Sequence, residues 1–102
     1  MDNNTLKEVD KEQNIQLVKG TFSPDKALEV MNALIDQKIN FHKIEGIQLW
    51  EKNHKNDQEP INKRIQELEL EKKNALEFIT KMKASGKNIE INGTLHMTSL
   101  DE

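Results

Sequence analysis

The sequence predicts an α+β fold, mainly α: an antiparallel two-helix hairpin flanked by two short antiparallel strands in the order β-α-α-β, with each chain paired to a second copy. Three observations lead there. The runs Ile15-Gln16-Leu17-Val18-Lys19-Gly20-Thr21-Phe22 and Ile89-Glu90-Ile91-Asn92-Gly93-Thr94-Leu95 both alternate apolar and polar residues, and both reach Gly-Thr. The segment between them places its apolar residues at helical spacing. The polar run Asn53-His54-Lys55-Asn56-Asp57-Gln58 divides that segment into two long helices joined by a short turn.

The first strand is read from Ile15, Leu17 and Lys19 on one face and Gln16 and Val18 on the other, with Gly20 ending or bending it. Ser23-Pro24-Asp25 then starts a helix. Ser23 can accept from a free backbone N–H, Pro24 suits the first turn, and Asp25 complements the positive helix end. Phe22 stands where a hydrophobic staple reaches Ala27.

The first helix is expected from Pro24 to Trp50 or Lys52. At 100° per residue Leu28, Met31, Ile35, Ile39, His42, Leu49 and Trp50 share one stripe, and Ala27, Val30, Leu34 and Phe41 an adjoining one. This is wider than a single neighbouring helix covers. Gly46 is expected to kink or end the regular helix. Asp57 is the expected cap of the second helix, with Pro60 in its first turn. That helix should run from Glu59 to Ala84 with a narrow stripe of Ile61, Ile65, Leu68, Ala75, Leu76, Ile79 and Met82, interrupted by Lys72 and stopped at Ser85-Gly86. The last strand is expected from Asn88 to Asn92, with Asn92-Gly93 ending it or making a small bulge before Thr94-Leu95-His96-Met97.

Strands of that length cover about half of the roughly 40 Å of each helix. The loop end of the hairpin, with Ile44, Ile47, Leu49 and Trp50, would then overhang the sheet as an interface. Val30, Leu34, Phe41, Ile44, Ile47 and Trp50 are the interface candidates.

A chain of 102 residues sets one domain as the expectation: a disordered polar tail over residues 1–13, with Leu6 and Val9 as its only larger apolar residues, a domain over 14–98, and a C-terminal tail over 99–102. Hydrophobic residues make up 34% and charged residues 32% of the chain. That lean core favours self-association as a source of stability. A net charge of −3 disfavours broad nucleic-acid binding, which draws on phosphate neutralisation. No cysteine is present, so disulfides, thiolate metal sites and thiol nucleophiles are excluded. Met1 to Asn14 hold no apolar core of a signal peptide, and no apolar run approaches the ~20 residues needed to cross a bilayer. The expected setting is the bacterial cytoplasm, away from membranes.

Candidate chemistry is sparse. His42 and Glu45 stand at i,i+3 and could share a metal ion or a proton, but a metal needs about four ligands, and His54 and His96 fall in the loop and near the last strand. A partly buried histidine bonded to a polar neighbour accounts for the pair. Lys38 and His42 stand at i,i+4 within the apolar arc. A desolvated lysine can act as base or nucleophile, yet no serine or paired carboxylate accompanies it, and a lysine reaching water beside a core-edge histidine suffices. Lys52, His54, Lys55, Lys63 and Arg64 gather around the turn and could meet phosphates or an acidic protein, diluted by Asp57 and Glu59. Trp50 alone is too little for a base-stacking platform. Walker, GxGxxG and GxSxG motifs are absent. No cofactor and no catalytic residue are expected.

Gly20-Thr21-Phe22-Ser23-Pro24, Lys38-Ile39-Asn40-Phe41-His42 and Lys63-Arg64-Ile65-Gln66-Glu67-Leu68 together resemble a family of short bacterial proteins. That family shares a glycine-led helix entry, a Lys-Ile-x-Phe-His segment and an Arg-Ile-x-x-Leu segment. The resemblance spans residues 15 to 92. It implies no activity, and it marks Lys38, Phe41, His42, Arg64 and Leu68 for attention. The expected function is a non-enzymatic protein–protein interaction or self-associating module. The alternatives are a nucleic-acid-associated regulator using the basic tip, and a small metal protein or enzyme around His42.

Overall fold

In the computed structural model, which describes residues 11–100, the order is β1 (Glu12–Phe22), α1 (Pro24–Lys52), α2 (Glu59–Ala84) and β2 (Ile89–Thr98). The strands pair antiparallel in a two-stranded sheet, so the β-α-α-β arrangement is as expected. The chain divides into two compact units: the helical hairpin Phe22–Ile89, and the strand ribbon made by the segments on either side of it. Residues 1–10 and 101–102 of the expected tails lie outside the described residues. Within them, Glu12 and Gln13 belong to β1, and Ser99 donates its backbone N–H to the Lys11 carbonyl at 2.8 Å.

The helix boundaries follow from local chemistry. Ser23 has extended backbone angles, and its hydroxyl accepts from the Lys26 N–H at 3.3 Å, with Pro24 opening the helix. Gln58, rather than Asp57, is the cap residue of α2; its side chain makes no capping bond. Asp57 serves the same end from one position earlier, its carboxylate accepting from the Glu59 N–H at 3.0 Å. At the end of α2, Gly86 adopts φ +68°, the Gly86 N–H donates to the Lys83 carbonyl at 3.1 Å, and the Lys87 N–H donates to the Met82 carbonyl at 2.9 Å. This is the paired bonding of a Schellman motif, which satisfies carbonyls the helix leaves open.

A Cβ added at Gly86 would meet nothing within 4 Å, so only the backbone conformation favours glycine there. Gly86→Ala is therefore expected to cost about 1 kcal/mol through left-handed strain. Urea unfolding of the two proteins would show it, and an unchanged midpoint would mean that the cap is not formed.

Two ion pairs fix the hairpin register. Lys83 Nζ reaches Asp25 Oδ1 at 2.9 Å, and Lys72 Nζ reaches Asp36 Oδ1 at 2.8 Å. Eleven residues forward on α1 match eleven backward on α2, as antiparallel helices require. The buried hydrophobic residues are Ala27 and Ile39 from α1, Leu68 and Ile79 from α2, and Ile89. Of the remaining α2 stripe, Ile61, Ile65, Ala75 and Met82 are half-buried, while Leu76 is exposed.

Lys72 does what a lysine within an apolar stripe must do: it carries its ammonium outward, here onto a carboxylate of the neighbouring helix. The Asp36 hydrogen bond raises the Lys72 pKa above its ordinary 10.5, opposed by desolvation and assisted by the charges of Asp36 and Glu69. A raised pKa stabilises the fold below the unfolded value and loses that contribution as pH climbs through the folded one. Asp36→Asn is thus expected to lower the urea midpoint slightly at neutral pH. The gap to the parent should close in strongly alkaline solution, where Lys72 loses its charge; a gap that persisted there unchanged would contradict the assignment.

The ribbon departs from expectation. Neither Gly20 nor Gly93 ends a strand: β1 runs 11 residues and β2 runs 10 without a break. That is about 33–36 Å of strand, against helix lengths of about 39–43 Å. The strands are therefore not half as long as the helices, and the expected overhang at the hairpin loop loses its premise.

The register of the ribbon also shifts. Lys11 pairs with Ser99, and a Cβ on Gly93 would lie 3.3 Å from Val18 Cγ1. Seven residues lead from Lys11 to Val18, but six lead from Ser99 back to Gly93, so β1 holds one extra residue. The Gln16 amide donates to Asn92 Oδ1 at 3.4 Å, which puts Gln16 on the face away from Gly93 while Val18 lies on the face of Gly93. The β-bulge thus falls between Gln16 and Val18. Through it Ile15 and Val18, an odd and an even position, share the face of Ile91, Gly93, Leu95 and Met97.

Candidate functional site

The candidate surface belongs to α1. A helix with one helical neighbour buries one stripe, and α2 takes the stripe of Leu28, Met31, Ile35, Ile39, His42 and Leu49, all buried or half-buried. Leu49, expected on the exposed end, therefore belongs to the covered side. Apart from buried Ala27, the rest of the apolar arc lies partly or wholly open. Leu34 is 42% exposed, Phe41 65%, Ile44 46%, Ile47 58% and Trp50 47%, and Val30 is half-buried. Five of the six interface candidates are thus exposed on one helix. The cause is the width of the arc against the reach of a single neighbour.

At the turn end this surface opens into a groove between the helices, about 550 Å³, lined by Gly46, Ile47, Trp50, Gln58, Ile61 and Ile65 among others. The helix passes Gly46 unbroken, contrary to expectation, and Gly46 is buried. Trp50 stacks on His54 with ring centroids 4.1 Å apart and planes at 17°. That stack fastens the last turn of α1 to the loop and leaves His54 as a packing partner of the indole. Phe41 meets His42 edge-on at 5.7 Å.

The polar candidates do not converge. Lys38 is exposed, while His42 is half-buried and its Nδ1 lies 3.2 Å from Glu45 Oε1. That is the expected i,i+3 pair, and no bond joins Lys38 to His42 among the described residues. Arg64, on α2, bonds Glu67 at 3.2 Å and lies 4.0 Å from Glu71. Its charge is met on its own helix, so it adds little to a basic patch at the turn. No group of three His, Asp or Glu side chains among the described residues is placed to hold a metal ion. No described helix is long and apolar enough to cross a membrane. Among the described residues the geometry brings no nucleophile to a base; what it assembles is an uncharged, mostly apolar helix face.

The fold defines a class, a β-α-α-β chain built on an antiparallel helical hairpin. Comparison with protein-family models, with curated proteins and with solved structures found no match.

Sequence reasoning offered a bulge at Asn92-Gly93 in the last strand and missed the one in β1. Its signal was present: Ile15 and Leu17 set one parity of the apolar alternation, and Val18 with Phe22 sets the other. A change of parity within one strand is what an inserted residue produces.

Proposed function

We propose that this protein is a non-enzymatic, self-associating protein-interaction module that works by covering the open arc of α1. One observation carries the reading: Leu34, Phe41, Ile44, Ile47 and Trp50 stand exposed along a single helix of a small chain with few buried hydrophobic residues. Removing such side chains from water is worth about 1.5–3 kcal/mol each for full burial, and roughly half of that is still to be gained here. An exposed patch of this extent marks an interaction surface more often than a solvated one. The cysteine-free composition agrees with a reducing compartment, so the reading places the module in the cytoplasm.

Light scattering on the size-exclusion peak, from low to high micromolar chain, tests it. The expected result is a mass that rises to a multiple of 11.8 kDa, with Trp50 emission changing in step. A monomer at every concentration, with constant emission, would end the reading.

A further inference from the structure

The identity of the partner can be taken further, resting on the reading just given. Val30, Leu34, Gln37, Phe41, Ile44 and Gln48 follow one another on α1 at alternating steps of four and three. That spacing keeps side chains on one seam between two helices. At 100° per residue the seam lies on the opposite side of the helix from Ile39 and Gly46, which are buried. In a chain with 32% charged residues the seam holds no charge from Val30 to Gln48, and neither does its flank through Asn40 and Ile47. α1 is therefore built with two contact stripes, and α2 occupies one.

We propose that the free seam docks on the same seam of a second copy, the two α1 helices running antiparallel about a two-fold axis level with residue 39. Charge complementarity selects this arrangement. Lys26, an exposed lysine that lies 3.6 Å from Glu29 on its own helix, precedes the seam and Glu51 follows it, both on the seam's side of the helix. Antiparallel docking brings Lys26 of each copy beside Glu51 of the other, at both ends. Parallel docking would set like charges together and align the helix dipoles unfavourably. In the antiparallel register Leu34 meets Ile44 of the second copy, and Phe41 meets Gln37. Gln37, a polar residue near the centre of an apolar seam, fixes register as such residues do in coiled coils.

The area suffices. An aromatic side chain spans about 150–250 Å², and Phe41 is 65% exposed. With Leu34, Ile44 and Ile47 the face offers on the order of 400 Å² of apolar surface per copy before its polar neighbours are added. Two such faces with their rims reach roughly the 1,200 Å² at which specific interfaces begin. The contact is isologous and closes at two chains.

The absence of cysteine makes a cross-linking test clean. Leu34→Cys and Ile44→Cys chains, mixed and oxidised, should give the covalent heterodimer in high yield, while each variant alone gives little. Phe41→Asp should weaken association at least about tenfold with the circular dichroism of the chain unchanged, since Phe41 is exposed. Lys26→Glu and Glu51→Lys should each weaken association, and the double exchange should restore it. Association that survives Phe41→Asp, or either cysteine variant linking to itself as well as the mixture does, would overturn the seam while leaving self-association in place. A monomer at high micromolar concentration would remove both.

Discussion

Replacing Leu68 by alanine is expected to cost about 3 kcal/mol of folding stability, within the 2–5 kcal/mol span of such truncations. Leu68 lies on the inner stripe of α2 and, among the described residues, is the large side chain that is hidden completely. Ala27, equally hidden, has only a methyl group to give. The other buried hydrophobics, Ile39, Ile79 and Ile89, each keep a little surface in water. A cavity at Leu68 therefore opens where the hairpin has least to replace the lost contacts. A chain of this size starts with a margin of about 5–15 kcal/mol and sits towards its lower end, so the loss should remove a large fraction of it. Urea unfolding followed by circular dichroism measures this, at chain concentrations low enough to keep association out of the equilibrium. Phe41→Ala is the control and should change monomer stability by no more than about 0.5 kcal/mol, as exposed positions do. Equal losses at the two positions would mean that Leu68 is not the centre of the hairpin.

The same contrast explains what could be read from the residues. The helices were legible because their ends carry specific local chemistry: Ser23-Pro24 at one start, Asp57 with Pro60 near the other, and Ser85-Gly86 at a stop that required a positive φ. Leu68 and Ile79 were legible as inner positions because their stripe on α2 is narrow. The width of the arc on α1 was legible too, but not which part α2 would take. Leu49 and Trp50 are adjacent in sequence, yet one is half-buried and the other exposed. Strand length was not legible, because Gly20 and Gly93 carry the usual mark of strand ends while lying inside strands. Gly93 faces Val18 across the ribbon, where a side chain would be crowded at 3.3 Å. A glycine that permits close approach and one that ends a strand look the same in sequence. Among the candidate site residues, Arg64 could not be separated from the basic turn until its bond to Glu67 and its nearness to Glu71 were seen.

Gly46 gives the second large expected effect, and it turns on the same ambiguity. A glycine within a helix costs about 1 kcal/mol relative to alanine, and α1 nevertheless continues through Gly46 to Lys52. The compensation is proximity. A Cβ at this position would lie 2.9 Å from Gln58 Oε1 and 3.4 Å from Ile61 Cγ2, so the start of α2 rests against the backbone of α1. The two neighbours differ in what they can yield. The Gln58 amide is the far end of a flexible side chain, held by one bond from its Nε2 to Asn56 Oδ1 at 3.1 Å. Ile61 is half-buried on the inner stripe and has less room to move. Gly46→Ala should therefore displace only the amide, and the gain in helix propensity should leave stability unchanged or raised by up to about 1 kcal/mol. Gly46→Leu must push Ile61 off the helix as well, and overpacking of that kind costs about 1–3 kcal/mol. It should also fill the groove beside Trp50 and shift the indole emission, which the alanine variant should leave alone. Paired urea titrations of the two variants decide the matter. If leucine proves as stable as alanine, the close approach of the helices at Gly46 is not what sets the turn end of the hairpin. If alanine proves as damaging as leucine, Gln58 is held far more tightly than its single amide bond provides.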